Sequence, residues 1–188
     1  MKITKDLYQS NLALLTDFYQ LTMAYAYWKS GKGEQEAVFN LFFRKNPFEG
    51  GFTIAAGLDY VVDYCKNLQF ELGELEYLRK MKQKDGSAMF EAAFLDYLRD
   101  LRFTCDIDAV EEGTVVFPNA PMVQVRGSLI QCQLLETPLL NILNFQTLIA
   151  TKAARINLAA KGAHVLEFGL RRAQGIDGAL AASRASYI

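Results

Sequence analysis

The sequence predicts a mixed helix-and-sheet fold, α+β passing into α/β, and three observations carry that prediction. An aromatic-rich helical segment opens near Thr16, and a β-rich stretch lies around residues 114–125. From Thr137 onward the order is helix, strand, loop, helix, the grammar of an α/β barrel or a doubly wound sheet. Only about one such unit is present, so a barrel is not expected to close on this chain alone.

In the first helix Thr16 is placed to cap, with Asp17 in the first turn where negative charge is favourable. Phe18, Leu21, Tyr25 and Trp28 fall on one face, Tyr19, Met23 and Tyr27 on another, and Gly31 is the expected stop. On base rates these aromatics are core packing before they are a ligand platform. Ala37 to Phe43 reads as a buried strand ending at Arg44 and Lys45, and residues 46–51 as a loop. Helices are expected over Ala55 to Leu68, Leu72 to Met81 and Ala88 to Leu101, with a turn at Lys84-Asp85-Gly86-Ser87.

Thr114 to Phe117 and Met122 to Val125 read as strands joined by the turn Pro118-Asn119-Ala120-Pro121. Thr137-Pro138 reads as a helix start, with a capping hydroxyl and proline at the first helical position. That helix runs toward Lys161 and Gly162. Val165 to Phe168 then forms a short strand, residues 169–175 a loop, and Asp177 the cap of a last helix. The expected domains are 1–133, mixed helix and sheet, and 134–188, connecting helices and the start of a barrel.

Of 188 residues 51% are hydrophobic and 22% charged, enough apolar material for a core without staples. The net charge of −1 offers no basic surface for nucleic acid or anionic membrane. Cys65, Cys105 and Cys132 are odd in number and far apart, which disfavours a disulfide framework or zinc site and favours the cytoplasm. The first eleven residues lack an apolar signal core. The apolar stretch Leu134 to Ala150 contains Glu136, Pro138, Asn141, Asn144 and Gln146, too polar for a membrane span.

The chemistry is expected in the loop after the Val165–Phe168 strand, because α/β folds bind ligands beyond the carboxyl ends of their strands. Arg171 and Arg172 supply planar forks of donors suited to carboxylate or phosphate, and glycines let backbone approach an anion. The competing reading is a solvated or ion-paired surface pair. His164, the only histidine, has no partners nearby in sequence and reads as a structural or surface residue.

Several segments, in order, resemble the nicotinate phosphoribosyltransferase family. They are Leu14-Leu15-Thr16-Asp17-Phe18-Tyr19-Gln20-Leu21-Thr22-Met23, Phe42-Phe43-Arg44-Lys45-Asn46-Pro47-Phe48 and Ala55-Ala56-Gly57-Leu58. Glu112-Gly113 through Phe117-Pro118 and Gln133 through Asn141 follow, then Leu166-Glu167-Phe168-Gly169-Leu170-Arg171-Arg172-Ala173-Gln174-Gly175, the most specific run. The resemblance spans about Leu14 to Ile188.

The resemblance implies a type II phosphoribosyltransferase fold: an N-terminal α+β domain followed by an irregular, TIM-like α/β barrel. It implies transfer of the phosphoribosyl group of phosphoribosyl pyrophosphate to nicotinate, giving nicotinate mononucleotide in NAD salvage. The transfer is coupled to ATP through a phosphorylated histidine, with Mg²⁺, in a homodimer with shared active sites. By resemblance Tyr19 reaches the neighbouring subunit's site and faces Phe168 across the pyridine. Arg171 contacts the anionic substrate groups, with Arg172 beside it, and Arg44 contacts phosphate. Family members are about twice as long or more, so the resemblance places the phosphorylated histidine beyond Ile188, and His164 does not match it. This segment alone is then expected to be inactive and to require no cofactor. The rival readings are the sister enzyme that uses nicotinamide, and a non-catalytic interaction domain that keeps the N-terminal half of the fold.

Overall fold

The computed structural model describes residues 12–188. The reading of the first eleven residues lies outside them. Two compact units divide the described chain. The first takes the residues up to Val38, with Val62–Asp106 and Arg126–Pro138; the second takes Phe39–Val61, Ile107–Val125 and Leu139–Ile188.

The first unit opens with helix α1, Phe18–Lys29. Asp17 rather than Thr16 is its N-cap residue, one position later than the sequence suggests, and Gly31 follows it at φ +70°. The buried side chains of α1 are Gln20, Leu21 and Ala24. The aromatic stripe instead meets a neighbouring cluster: Tyr25 lies 5.5 Å edge-on to Phe90 and 5.1 Å from Phe94, and Trp28 lies 5.6 Å from Phe94. Such ring pairs add about 0.5–1.5 kcal/mol beyond burial.

Helix α2, Leu58–Asn67, is shared between the two units; α3, Leu72–Lys80, and α4, Ala92–Asp100, belong to the first. In α3 the Glu71 and Glu74 side chains form a reciprocal capping box. Helix α4 starts four residues later than expected, because residues 82–88 form a turn held by the Asp85 carboxylate, which accepts the Ser87 N–H and hydroxyl.

The strands are β1 (Glu36–Leu41), β2 (Thr53–Ile54), β3 (Asp106–Ala109), β4 (Val115–Val116) and β5 (Val123–Ser128). The three-stranded sheet has the order β1-β5-β3. In β1 side chains alternate between exposed and half-buried, so this is not the buried strand the sequence suggests. Strands β4 and β5 do not form a hairpin. β4 pairs antiparallel with β2, Thr53 opposite Val116, and β5 takes the centre of the other sheet. The prolines at 118 and 121 leave few donors for a ladder across that turn.

Helix α5 runs Leu129–Ala160, so Thr137-Pro138 lies inside a helix and does not start one. Chain leaving β5 turns directly into helix. The missing N–H of Pro138 is tolerated where Leu134, Leu135, Pro138 and Leu139 are all buried. The boundary between the units falls after Pro138.

In the second unit α5 satisfies the backbone around β2. The Thr151 hydroxyl accepts the Ile54 N–H at 2.9 Å, and the Thr147 hydroxyl accepts the Ala56 N–H at 3.2 Å. Ala56, Ala150 and Ala185 form the adjoining core, small residues that let backbone approach closely.

Residues 163–169 form no strand. Leu166 is 78% exposed and Phe168 70%, whereas a buried strand at Val165–Phe168 needs sheet neighbours that the described residues do not supply. The loop after it is in part a 3₁₀ turn, Leu170–Arg172, followed by helix α6, Gly175–Ala185. Gln174 is the N-cap of α6, and Asp177 lies in its first turn.

Candidate functional site

The segment from Phe168 to Arg172 is short and tightly turned, so its side chains point outward. Arg171 and Arg172 are exposed, and the Arg172 guanidinium lies 5.7 Å from the Phe168 ring centroid. That contact is within cation–π range and orients a cation beside an aromatic face. Arg171 makes no ion pair among the described residues. Two of the residues singled out in sequence, Phe168 and Arg172, are therefore in contact. The premise that Arg171 follows a strand directly is not met here.

Arg44 is exposed beyond β1, in the same unit. The turn that follows, Pro47–Glu49, places Phe48 at φ 58° and Glu49 at φ 52°. Left-handed backbone at a residue bearing a side chain costs roughly 1–2 kcal/mol. Helix α5 meets this turn with two cations. The Lys152 Nζ lies 4.0 Å from the Phe48 ring centroid, and the Arg155 guanidinium occupies the place a side chain at Gly50 would take.

A polar cluster that sequence reasoning missed lies in the same unit. The Arg184 guanidinium donates to the Glu112 carboxylate at 2.6 and 3.0 Å, to Gln146 Oε1 at 3.1 Å and to Asp59 at 2.8 Å. Glu112 also accepts the Gly57 N–H. Desolvation would raise the Glu112 pKa, but the Arg184 and Gly57 hydrogen bonds outweigh it and hold the carboxyl below its ordinary value. Gly57 has φ +106°, and a Cβ there would meet the Ile142 carbonyl at 3.2 Å. Two blocks noticed separately in sequence, Ala55-Ala56-Gly57-Leu58 and Glu112-Gly113, therefore converge. The legible signal for the third partner was Arg184, the one cation in the alanine-rich stretch that closes the chain.

Tyr19 belongs to the first unit and is 47% exposed. Its phenol donates to Glu136 Oε1 at 3.4 Å and accepts from Gln20 Nε2 at 2.9 Å. Gln20 Nε2 also reaches Glu136 Oε2 at 2.8 Å, and Gln133 Nε2 donates to Gln20 Oε1. Desolvation, followed by the charges of Glu136 and Asp17, holds the Tyr19 phenol above its ordinary pKa and hence neutral.

An open apolar depression of about 580 Å³ in the second unit is lined by Phe52, Ile54, Val115, Ala154, Asn157 and Leu158. No charged side chain lines it, so it does not suit an anion. Among the described residues no three or more His, Cys, Asp or Glu side chains are grouped to hold a metal ion, so no magnesium site is assigned to them. Cys65, Cys105 and Cys132 are buried and in no disulfide, and His164 is exposed. No helix among the described residues is long and apolar enough to cross a membrane.

Comparison with known proteins adds the following. The family described as nicotinate phosphoribosyltransferase (NAPRTase) N-terminal domain matches residues 14–144. A nicotinate phosphoribosyltransferase from Caenorhabditis elegans is 47% identical over 177 residues, covering 93% of this chain and 31% of its own length. One from Bacillus subtilis is 44% identical, covering 95% of this chain and 35% of its own. The crystal structure of human nicotinic acid phosphoribosyltransferase superposes with a TM-score of 0.82 at 42% identity, covering 92% of this chain and 34% of that one. A nicotinate-nucleotide pyrophosphorylase from Pyrococcus furiosus, 21% identical, shares the fold with a TM-score of 0.65. The chain thus spans about a third of the length of the relatives it matches.

Proposed function

The chain belongs to the nicotinate phosphoribosyltransferase N-terminal domain family, and from that premise we propose that it supplies the pyridine-binding part of an enzyme that makes nicotinate mononucleotide for NAD biosynthesis. In the reaction the nicotinate ring nitrogen attacks C1 of phosphoribosyl pyrophosphate. The bond from C1 to the pyrophosphate oxygen breaks, and pyrophosphate leaves with the electron pair.

The residues of this chain bind and orient. Tyr19 of one subunit and Phe168 of its partner in a homodimer sandwich the flat pyridine ring, where stacking is favourable. Arg171 binds an anionic substrate group through its planar fork, and Arg172, held beside Phe168, adds positive charge. Arg44 binds phosphate. The geometry supporting this reading is that the side chains of Tyr19, Phe168, Arg44, Arg171 and Arg172 are all accessible to a ligand. The observation that carries it is identity of 44–48% to nicotinate phosphoribosyltransferases across nine-tenths or more of the chain.

The rest of the family's chemistry is proposed for a protein of the relatives' full length. It comprises coupling to ATP hydrolysis through a phosphorylated histidine outside this chain, and a barrel opening within residues 134–188, with 1–133 as the preceding domain. Magnesium, when bound, supplies positive charge to the departing pyrophosphate; no residue here is assigned to it. The 188-residue segment by itself is proposed to be inactive, and the site is proposed to work in the cytoplasm.

The test is conversion of nicotinate and phosphoribosyl pyrophosphate to mononucleotide by the full-length protein, with nicotinamide as the competing substrate. Turnover of nicotinate well above nicotinamide supports the reading. Preference for the amide, or no turnover of either, contradicts it.

A further inference from the structure

Tyr19 sits in the first two turns of α1, where a surface tyrosine is ordinarily free to sample rotamers. Here its phenol oxygen uses both of its roles: it donates to Glu136 at 3.4 Å and accepts from Gln20 at 2.9 Å. Gln20 is fully buried and Gln133 is 4% exposed. The Gln20 amide is fixed from both ends, its NH₂ on Glu136 and its oxygen on Gln133. Beside it the Thr137 hydroxyl donates to the Asp17 carboxylate at 3.0 Å. A buried amide that is fully satisfied has one orientation, because turning it would strand a donor against a donor. The rigid part of the network is therefore Gln133–Gln20–Glu136, and Tyr19 is tethered to it while its ring stays open to solvent.

We propose that Glu136 is a positioning residue for substrate binding: it anchors the Tyr19 phenol so that the ring is already oriented before the pyridine arrives. This rests on the reading of Tyr19 as one wall of the pyridine slot. Ordering a rotamer-rich side chain on binding weakens affinity, and an anchored ring has already met that cost. Releasing the ring should raise KM for nicotinate by about three- to tenfold. It should leave kcat nearly unchanged, because the interaction lost serves substrate and transition state alike.

The test uses Tyr19→Phe, Glu136→Ala, the double variant and Tyr19→Ala in a protein of the relatives' full length, reading KM for nicotinate, KM for phosphoribosyl pyrophosphate, kcat and Tm. Tyr19→Phe removes only the anchored hydroxyl of a half-exposed side chain and so tests the anchor even where Glu136→Ala destabilises the fold. The expected result is a raised nicotinate KM in both single variants, with the other kinetic constants close to normal. The double variant should be no worse than the worse single one, since both cut the same link. A normal nicotinate KM in Tyr19→Phe, with Tyr19→Ala impaired, overturns the anchoring role and leaves the slot reading standing. Additive effects in the double variant overturn it too. An unimpaired Tyr19→Ala removes the slot reading itself, and the anchoring role with it.

Discussion

Arg184 and Glu112, 72 residues apart in sequence, are joined at 2.6 Å, and Glu112 passes the connection on to the Gly57 N–H. The pair fixes the C-terminal turn of α6 against a backbone position that only glycine occupies without strain.

Removing either partner should destabilise the fold. Glu112→Gln or Arg184→Ala is expected to cost roughly 1.5–3 kcal/mol, the range for hydrogen bonds to charged groups. The pH dependence has a definite sign. The Glu112 carboxyl titrates below its ordinary value of 4.5 in the folded chain, so its stabilisation is fully present above that value. It is lost as pH falls through the lower, folded value. Urea unfolding should therefore separate wild type from Glu112→Gln at neutral pH and bring them together in acid. A difference that stays constant into acid would count against the pair.

Gly57→Ala should be poorly tolerated. At φ +106° it brings left-handed strain of about 1–2 kcal/mol, and the new methyl meets the Ile142 carbonyl at 3.2 Å, adding roughly 1–3 kcal/mol of overpacking. Gly50→Ala should cost less, because at φ −86° Gly50 carries no left-handed strain, although its new methyl would meet the Pro47 carbonyl at 3.1 Å as well as the movable end of Arg155. Equal unfolding midpoints for the two variants would contradict this ranking.

The three thiols should be silent in the folded chain. Burial pushes Cys65 and Cys105 up to about 12 and also raises Cys132. Because the thiolate is the reactive form, a disulfide reagent at mildly alkaline pH should modify all three only as urea unfolds the protein. Stoichiometric reaction without unfolding would show that the thiols are accessible.

A shared site makes a complementation prediction for the full-length protein. Tyr19→Ala and Arg171→Ala should each be inactive as homodimers, and mixed dimers should regain activity, because one of their two sites carries neither change. No recovery despite demonstrated subunit exchange would place Tyr19 in its own subunit's site.

What the sequence made legible, and what it did not, divides along physical lines. Helix α3 and the end of α5 lie close to where periodicity and Gly162 place them, because local signals dominate there. Pro138 misled because its helix-starting preference is local, whereas the helix had already begun at Leu129 and burial on both sides of the proline kept it going. β4 and β5 misled because adjacent strands joined by a turn usually pair, and the partner of β4 lies some sixty residues earlier, at Thr53–Ile54. The Val165–Phe168 run has strand composition, but a strand exists only with a neighbour. At the candidate site Arg171 and Arg172 were visible as residue types in a glycine-bearing segment, and Phe168 only through the family resemblance. The Tyr19 anchor was not, since it depends on Glu136 and Gln133 more than a hundred residues away.

The central claim is that this chain binds nicotinate for phosphoribosyl transfer, and Arg171 tests it most directly. The measurement is kcat/KM for nicotinate and Tm, on one preparation of Arg171→Ala in a protein of the relatives' full length. Arg171 is exposed and has no ion pair among the described residues, so Tm should hardly move. Losing a guanidinium that pairs with a substrate anion costs about 1.5–5 kcal/mol, so kcat/KM should fall roughly ten- to several-thousand-fold, with Arg171→Lys recovering only part. Near-normal kcat/KM in Arg171→Ala, whatever happens to Tm, would contradict the account.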